Sequence, residues 1–480
     1  MGLRGMPGGS YRVLSDGDIQ KIHDCSMKLF EEVGIAVHNK RALELFHQHG
    51  AEVDWKRRVF FASRDWVMSK VGMAPSSITL CGREEAQDLV IEDTKTYLGT
   101  GGTALNVLDM ETHKRRPSTL QDIRDAARLV DHLENIHFFV LPLYPHDVPE
   151  EKVDVNRFWA GLSHTSKHVM GGVYTKEGVQ DTIRMAEVIA GGREALRKRP
   201  FISMITCVVS PLKIDDTYGE LLMTVAEQGI PLAIPTEPLA GSTSPVTLAG
   251  NVAQLNTEAL AGLILAQLVN PGTPVLYGSV ATINDMRQMA YLSGAVEMGL
   301  INAAAAQMAQ FYRVPFYATA GMSDSKLPDI QSGYERAMTA VMVALAGANY
   351  IHDAAGLLEF AMTVSFEQYV IDNDIIGMVM RAVKGIDVND ETLAFDVMKK
   401  VGPGGNFMSE KHTVRYMRKE FFYPCLADRN NRDAWEAMGA RDACRRARKE
   451  ARRILATHKP LPVADEAVKE IRSSIDGIVV

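Results

Sequence analysis

Residues 168–206 read HVMGGVYTKEGVQDTIRMAEVIAGGREALRKRPFISMIT. The stretch opens on an apolar, β-prone run, His168–Val173, and closes on another, Phe201–Thr206. Between them Thr175 begins a helical pattern and Gly191-Gly192 ends it. Strand, helix, strand in that order implies a parallel pair joined by a right-handed crossover.

The same rhythm extends in both directions. β-Prone runs recur at Tyr97–Thr100, His137–Pro142, Pro231–Pro235, Pro274–Ser279, Val314–Thr319 and Tyr350–Asp353, which with the first two makes eight. Helical patterns lie between them. One begins at Pro117-Ser118-Thr119, where Ser118 and Gln121 have capping-box spacing. Others cover Asp215–Gln228, Asn256–Leu268, Met286–Phe311 and Gln331–Ala346. Eight strand–helix units predict an α/β fold of the (β/α)8 TIM-barrel type. The rival, a doubly wound open sheet, needs a glycine fingerprint between a strand and a helix. Gly99-Thr100-Gly101-Gly102 is the candidate, but its spacing is wrong and an apolar run, Leu105–Leu108, follows it.

The barrel is expected over residues 93–380. Residues 1–92 read as an N-terminal α+β appendage, with helical periodicity over Asp16–Gln48 and extended runs at Val59–Ala62 and Ser77–Cys81. Residues 381–480 read as a C-terminal helical extension, with helices at Arg432–Ala456 and Asp465–Asp476.

Composition narrows the function. The 480 residues are 46% hydrophobic and 23% charged, with a net charge of −7. A mildly acidic chain lacks the basic footprint of a nucleic-acid binder. The one basic cluster, Arg441–Arg453, is interrupted by acids and alanines and reads as a solvated helix face. No apolar run reaches the ~18 residues of a membrane span. The glycine-rich start has no apolar core of a secretory signal. Five dispersed cysteines cannot all pair, which suits a reducing cytoplasm. No cysteine or histidine spacing forms a metal clamp, so no bound metal is expected. The methionines at helical spacing, among them Met286, Met289, Met298 and Met308, read as core filler.

A barrel of this kind works at the C-terminal ends of its strands. That rule selects Tyr97 and the glycines after the first run, Tyr144 after the second and Glu237 after the fifth. It adds Ser323, Asp324 and Lys326 after the seventh and His352-Asp353 at the end of the eighth. Each also has a plain reading: Glu237 as a loop ion pair, Asp324 as a helix cap, Lys326 as a surface lysine, His352 as a core histidine, the tyrosines as packing.

Several stretches taken together carry a family resemblance. They are Gly101-Gly102-Thr103, Val107-Leu108-Asp109 and Arg115-Arg116-Pro117-Ser118-Thr119. With them stand Thr236-Glu237-Pro238, GMSDSKLPDIQSGY at 321–334, Gly402-Pro403-Gly404-Gly405-Asn406-Phe407 and His412-Thr413. Their joint order resembles the trimethylamine methyltransferase family over about residues 10–475. The resemblance implies a barrel that passes a methyl group from an amine to cob(I)alamin, giving methylcobalamin, on a separate corrinoid protein. The founding members carry pyrrolysine after the seventh strand. Here residues 326–331 are all standard, with Ile330 or a neighbour at the equivalent place. The chain therefore resembles the pyrrolysine-lacking branch, some of whose members demethylate quaternary amines such as glycine betaine.

On that reading Glu237 and Asp324 are the catalytic carboxylates. Tyr97, Tyr144, Phe360 and Phe366 offer aromatic faces to a permanent cation. Lys326, His352 or Arg287 would receive a substrate carboxylate. The expected partners are the corrinoid protein, a small quaternary amine and further copies of the chain, with the apolar segment Met286–Phe311 as one possible subunit contact. Two other readings stay open: a barrel lyase or aldolase with Lys326 as Schiff-base amine, and a non-catalytic protein that holds a quaternary amine.

Overall fold

The structure, a computed structural model, describes residues 4–479. Each of the eight β-prone runs forms a strand. They are β1 (Lys95–Thr100), β2 (Phe139–Val140), β3 (Val169–Gly172), β4 (Ile202–Ile205), β5 (Leu232–Thr236), β6 (Val275–Ser279), β7 (Phe316–Thr319) and β8 (Tyr350–Ala355). They pair in parallel in the order β1-β8-β7-β6-β5-β4-β3-β2. Among the described residues β1 and β2, the ends of that order, share no ladder. They are nonetheless tied: His137 N–H donates to the Leu98 carbonyl at 2.8 Å, and Leu98 N–H donates to His137 Nδ1 at 2.9 Å. Thr100 Oγ1 donates to the Val140 carbonyl at 2.7 Å.

One apolar cluster draws side chains from all eight strands or the residue just before them. Tyr97, Phe138, Met170, Ala233, Leu276, Tyr317 and Tyr350 meet there, with Ile205 packed against them. Period-two alternation places these residues on one face and sends their neighbours outward. The antiparallel hairpin Ser77–Leu80 with Leu89–Glu92 supplies Ile78, Leu80, Leu89 and Ile91 to the same cluster.

The helices after the strands are α1 (Leu120–His132), α2 (Val153–Leu162), α3 (Lys176–Ala190), α4 (Asp216–Gln228), α5 (Leu248–Val269), α6 (Val296–Tyr312), α7 (Ile330–Leu345) and α8 (Phe366–Lys384). The cap of α1 lies one residue beyond the expected one. Thr119 and Asp122 form the capping box, while the Ser118 hydroxyl donates to the Leu105 and Tyr144 carbonyls. The sequence pattern did not mark α2. The glycine at 191 ends α3 in the left-handed region at φ 83°.

The expected helix Met286–Phe311 is corrected. Thr282–Asp285 and Ala290–Leu292 form an antiparallel hairpin, and α6 starts only at Val296. Asp285 makes the turn, since its carboxylate accepts from Arg287 N–H at 2.8 Å and its carbonyl from Met289 N–H at 2.6 Å. Met286 and Met289 at its tip are 55% and 65% exposed, so they are not core, whereas Met298 and Met308 are.

Helix α5 is 22 residues long and apolar enough to cross a membrane by length and composition alone. It is buried in the fold, covered by the helices Asp16–Lys28 and Arg64–Val71. Ser26 Oγ donates to the Ala253 carbonyl at 3.0 Å across that contact. The expected helical stretch Asp16–Gln48 is broken at Gly34 by the strand Ile35–Val37. At the other end, Arg432–Ala437 and Ala443–Thr457 are two helices, with the second packed on α8 and α1. Its basic residues are not all solvated. Arg448 pairs with Glu367 at 2.9 Å, a carboxylate whose side chain is only 2% exposed, and so fastens the segment to the start of α8.

Candidate active site

The C-terminal ends of the strands surround a cavity of about 790 Å³. Thr103 enters it after β1, Tyr174 after β3, Cys207 after β4 and Glu237 after β5; His352 and Asp353 enter from β8. Tyr317 and Val140 belong both to the inner apolar cluster and to the cavity, so they form its floor. Tyr174 and Tyr218, 38% and 36% exposed, and Met362, 40% exposed, mark where it reaches solvent.

Glu237 is the unpaired charge of the lining. Among the described residues no hydrogen bond or ion pair engages its carboxylate, and its side chain is exposed to the open cavity. Partial desolvation by the cavity walls, and then the Asp353 carboxylate, push its carboxyl up to about 7, with His352 working in the other direction. The strand end that carries it is held from behind. Buried Glu258, on α5, accepts from Ser210 Oγ at 2.6 Å, Leu212 N–H at 2.8 Å and Gln254 Nε2 at 2.8 Å, and also from Thr236 Oγ1. Cys207 lies near Glu237, and burial pushes its thiol up to about 12.

His352 and Asp353 act as one unit. His352 Nε2 lies 2.9 Å from Asp353 Oδ2, and Nδ1 lies 2.7 Å from the Ala318 carbonyl. A carbonyl can only accept, so Nδ1 carries a proton. The contact at Nε2 needs one more proton, on the imidazole or on the carboxylate. The pair is net neutral either way. Asp353 Oδ1 is buried with no partner, and Asp353 sits at φ 65°. An unpartnered buried oxygen on a left-handed residue is strain of the kind that gathers at functional sites.

The walls are aromatic. Tyr174, Tyr218, Tyr291, Tyr317 and Phe360 all line the cavity. Tyr317 stacks on the His352 ring with centroids 4.1 Å apart. Three successive residues, Glu359, Phe360 and Ala361, have φ of 54°, 57° and 64°. This left-handed turn, costly for residues with a Cβ, presents Phe360 to the cavity. Glu359 anchors it through Thr363 Oγ1 at 2.6 Å and Arg115 at 2.9 Å. No lysine or arginine belongs to the lining.

Of the sequence-predicted residues the cavity brings together Gly102, Glu237, His352, Asp353 and Phe360. The others lie elsewhere. Tyr97 is buried in the inner cluster near its hairpin-covered end, its hydroxyl 3.3 Å from the backbone of Val90. Phe366 is buried at the start of α8. Asp324 is set apart from the lining, and its Oδ1 accepts from Ser293 N–H and Oγ at 2.7 Å and from Gly294 N–H at 3.1 Å. Tyr144 is half-buried behind the lining, edge-on to Tyr174 at 5.9 Å. Lys326 is exposed, donates to the Asp324 carbonyl at 2.9 Å and lies 4.3 Å from the Phe360 ring centre. Arg287 is exposed on the hairpin and pairs with Asp285. Ile330, the guessed place of pyrrolysine, is 86% exposed at the start of α7. Among the described residues no three His, Cys, Asp or Glu side chains come together as a metal site.

Comparison with known proteins places this geometry. The family described as trimethylamine methyltransferase (MTTB) matches residues 5–476. A trimethylamine methyltransferase MttB of Desulfitobacterium hafniense (strain DSM 10664 / DCB-2) is 36% identical over 462 residues, covering 96% of this chain and 93% of its own. The glycine betaine methyltransferase of D. hafniense (strain Y51) is 35% identical over 459 residues, covering 95% of each. In fold, the crystal structure of the Methanosarcina barkeri monomethylamine methyltransferase (MtmB) aligns over 93% of this chain and 95% of its own, with a TM-score of 0.51 at 12% identity.

Proposed function

The chain belongs to the trimethylamine methyltransferase family, and we propose that it takes a methyl group from a quaternary amine, glycine betaine first among them, and passes it to cob(I)alamin on a separate corrinoid protein. It is a methyltransferase of methylamine and betaine metabolism. The observation that carries the substrate reading is Glu237, an unpaired carboxylate in an aromatic cavity with no lysine or arginine in its lining. A permanent cation is the ligand such a cavity fits, because aromatic faces and an unpaired carboxylate attract it.

A quaternary nitrogen also suits what these residues lack. The C–N bond breaks with its electron pair left on nitrogen, so a neutral tertiary amine departs and no proton is delivered to it. The protein's work is then to hold the cation and aim one methyl group. Glu237 faces the ammonium charge, Tyr317 and Phe360 shape its surroundings, and the His352–Asp353 pair fixes the wall beside them. The corrinoid, when docked, supplies a nucleophilic cobalt(I) centre. The cavity has room for a small amine and reaches solvent past Tyr174, Tyr218 and Met362, so an acceptor carried on another protein would approach from that side. The standard residues at 326–331, with Ile330 turned out to solvent, fit a substrate that needs no pyrrolysine.

Three coarser expectations go with this reading. The parallel order of the eight strands, the ties between its two ends, β1 and β2, and the one inner cluster support a closed (β/α)8 barrel flanked by the segments 1–92 and 381–480. Exposed Ile386, Phe395, Met408 and Phe421 are our candidates for subunit contact, in place of the segment 286–311. The location we expect is the cytoplasm, on the strength of five free cysteines.

Calorimetric titration tests the cation reading. Glycine betaine and tetramethylammonium should bind, and neutral tert-butyl analogues of the same shape should not. Equal binding of the neutral analogues would overturn it.

A further inference from the structure

Arg157, on α2, is fully buried, and among the described residues no carboxylate lies within ion-pair distance of it. Its five N–H donors are all accounted for. Nε donates to the Leu143 carbonyl at 3.0 Å. Nη1 donates to the Gly172 carbonyl at 3.4 Å and to the Tyr174 hydroxyl at 3.1 Å. Nη2 donates to the Leu141 carbonyl at 3.2 Å and to Thr103 Oγ1 at 3.1 Å. The carbonyls lie at the ends of the two neighbouring strands; the two hydroxyls are on the cavity lining. The Asp154 carboxylate feels Arg157 only through space. Asp154 spends Oδ2 on the backbone of Tyr174 and Thr175, at 2.9 and 3.1 Å. A buried guanidinium without an ion pair is costly unless an anion completes it.

The direction of these bonds is forced. A guanidinium has no acceptor, so both hydroxyl oxygens accept from Arg157. Their own hydrogens are free, and among the described residues no protein acceptor takes either one. Two O–H donors, polarised by one cation behind them, therefore face the cavity from the β1 and β3 side, while Glu237 faces it from β5.

We propose that Thr103 and Tyr174 form a carboxylate subsite, with Arg157 as its positioning residue, and that the substrate is accordingly a zwitterion: a quaternary ammonium near Glu237 and a carboxylate on the two hydroxyls. This rests on the quaternary-amine reading above and deepens it. It also moves the carboxylate away from Lys326, His352 and Arg287, where residue type alone had placed it.

The test compares two cations by titration calorimetry, glycine betaine with its carboxylate and tetramethylammonium without one, on wild type, Tyr174→Phe and Thr103→Val. Each hydroxyl removed should weaken betaine ~10-fold, about 1.4 kcal/mol, and leave tetramethylammonium within about twofold. The ratio of the two affinities is the readout, because general damage to the fold moves both together. Arg157→Lys, which keeps the charge and loses the fork, should lower the same ratio. A parallel loss of both ligands in Tyr174→Phe, or an unchanged ratio in all variants, overturns the subsite while the cation reading stands. Failure of wild type to bind either ligand overturns the cation reading itself.

Discussion

Gly101 packs against Asp353 so closely that no side chain fits between them. A Cβ on Gly101 would stand 2.8 Å from His352 Cδ2 and nearer still to the Asp353 backbone nitrogen and Oδ1. The absence of a side chain at Gly101 is thus required by a close approach, while Gly102 makes the turn at φ 75°. Together these glycines let the loop after β1 lie on the His352–Asp353 pair. Gly101→Ala must push that pair away, because the nearest atoms include rigid backbone. We expect ~100-fold lower turnover, the usual consequence of a misplaced wall, at a stability cost of about 1–3 kcal/mol. Turnover together with a denaturation curve checks both.

Glu237 sets the pH dependence. Its carboxyl, ordinarily at 4.5, is pushed up to about 7, so the charge that attracts a cation is present only above that pH. A quaternary ammonium has no proton to titrate. Substrate affinity should therefore rise between pH 6 and pH 8, and Glu237→Gln should lose both the affinity and its pH dependence. The sign for folding is opposite. The raised carboxyl favours the folded state fully below its unfolded value and loses that contribution as pH rises through about 7. At pH 8 Glu237→Gln should melt higher than wild type, which calorimetry over a pH series will read.

Asp353 holds a left-handed backbone, at φ 65°, that asparagine adopts at less cost than alanine. Asp353→Asn should keep close to wild-type stability and, because it removes the carboxylate that pushes Glu237 up, should shift the rise of cation binding to lower pH. Asp353→Ala should be the less stable of the two. Melting temperatures and titrations on the pair separate backbone strain from charge.

Lys326 is exposed and bonded to a backbone carbonyl, without the desolvation that a Schiff-base amine needs. Lys326→Met should keep turnover within about twofold, a change in the range of ordinary surface substitutions. Borohydride trapping with carbonyl compounds should give no adduct at this position by mass spectrometry.

The strands were legible because each is an apolar run set off by turn residues and helix caps, a purely local signal. Strand direction then pointed to the strand ends around the cavity, and so to Glu237 and His352 in its lining. Tyr97 failed by height: it lies within β1, three residues before the strand's end, and its side chain falls into the plugged core. The helical stretch 286–311 failed because Met286 and Met289 mimic a helical stripe while Asp285 closes a hairpin turn. Asp324 has the chemistry of a catalytic acid, but its oxygen is taken by Ser293 and Gly294, thirty residues away in sequence. Tyr218 on α4 and Tyr291 on the hairpin carry no local mark of their position; the packing of these elements over the strand ends brings them to the cavity. The role of Arg157 was equally hidden, since a lone arginine in a helix pattern ordinarily faces water.

The most direct test of the account is optical. The purified protein is mixed under anaerobic conditions with reduced corrinoid protein and, in parallel, with free cob(I)alamin, and each methylated amine is added in turn. The expected result is decay of the cob(I)alamin band with glycine betaine, formation of dimethylglycine in equal amount, and no decay with trimethylamine. Decay with trimethylamine alone, or none with any quaternary amine in either mixture, would contradict it.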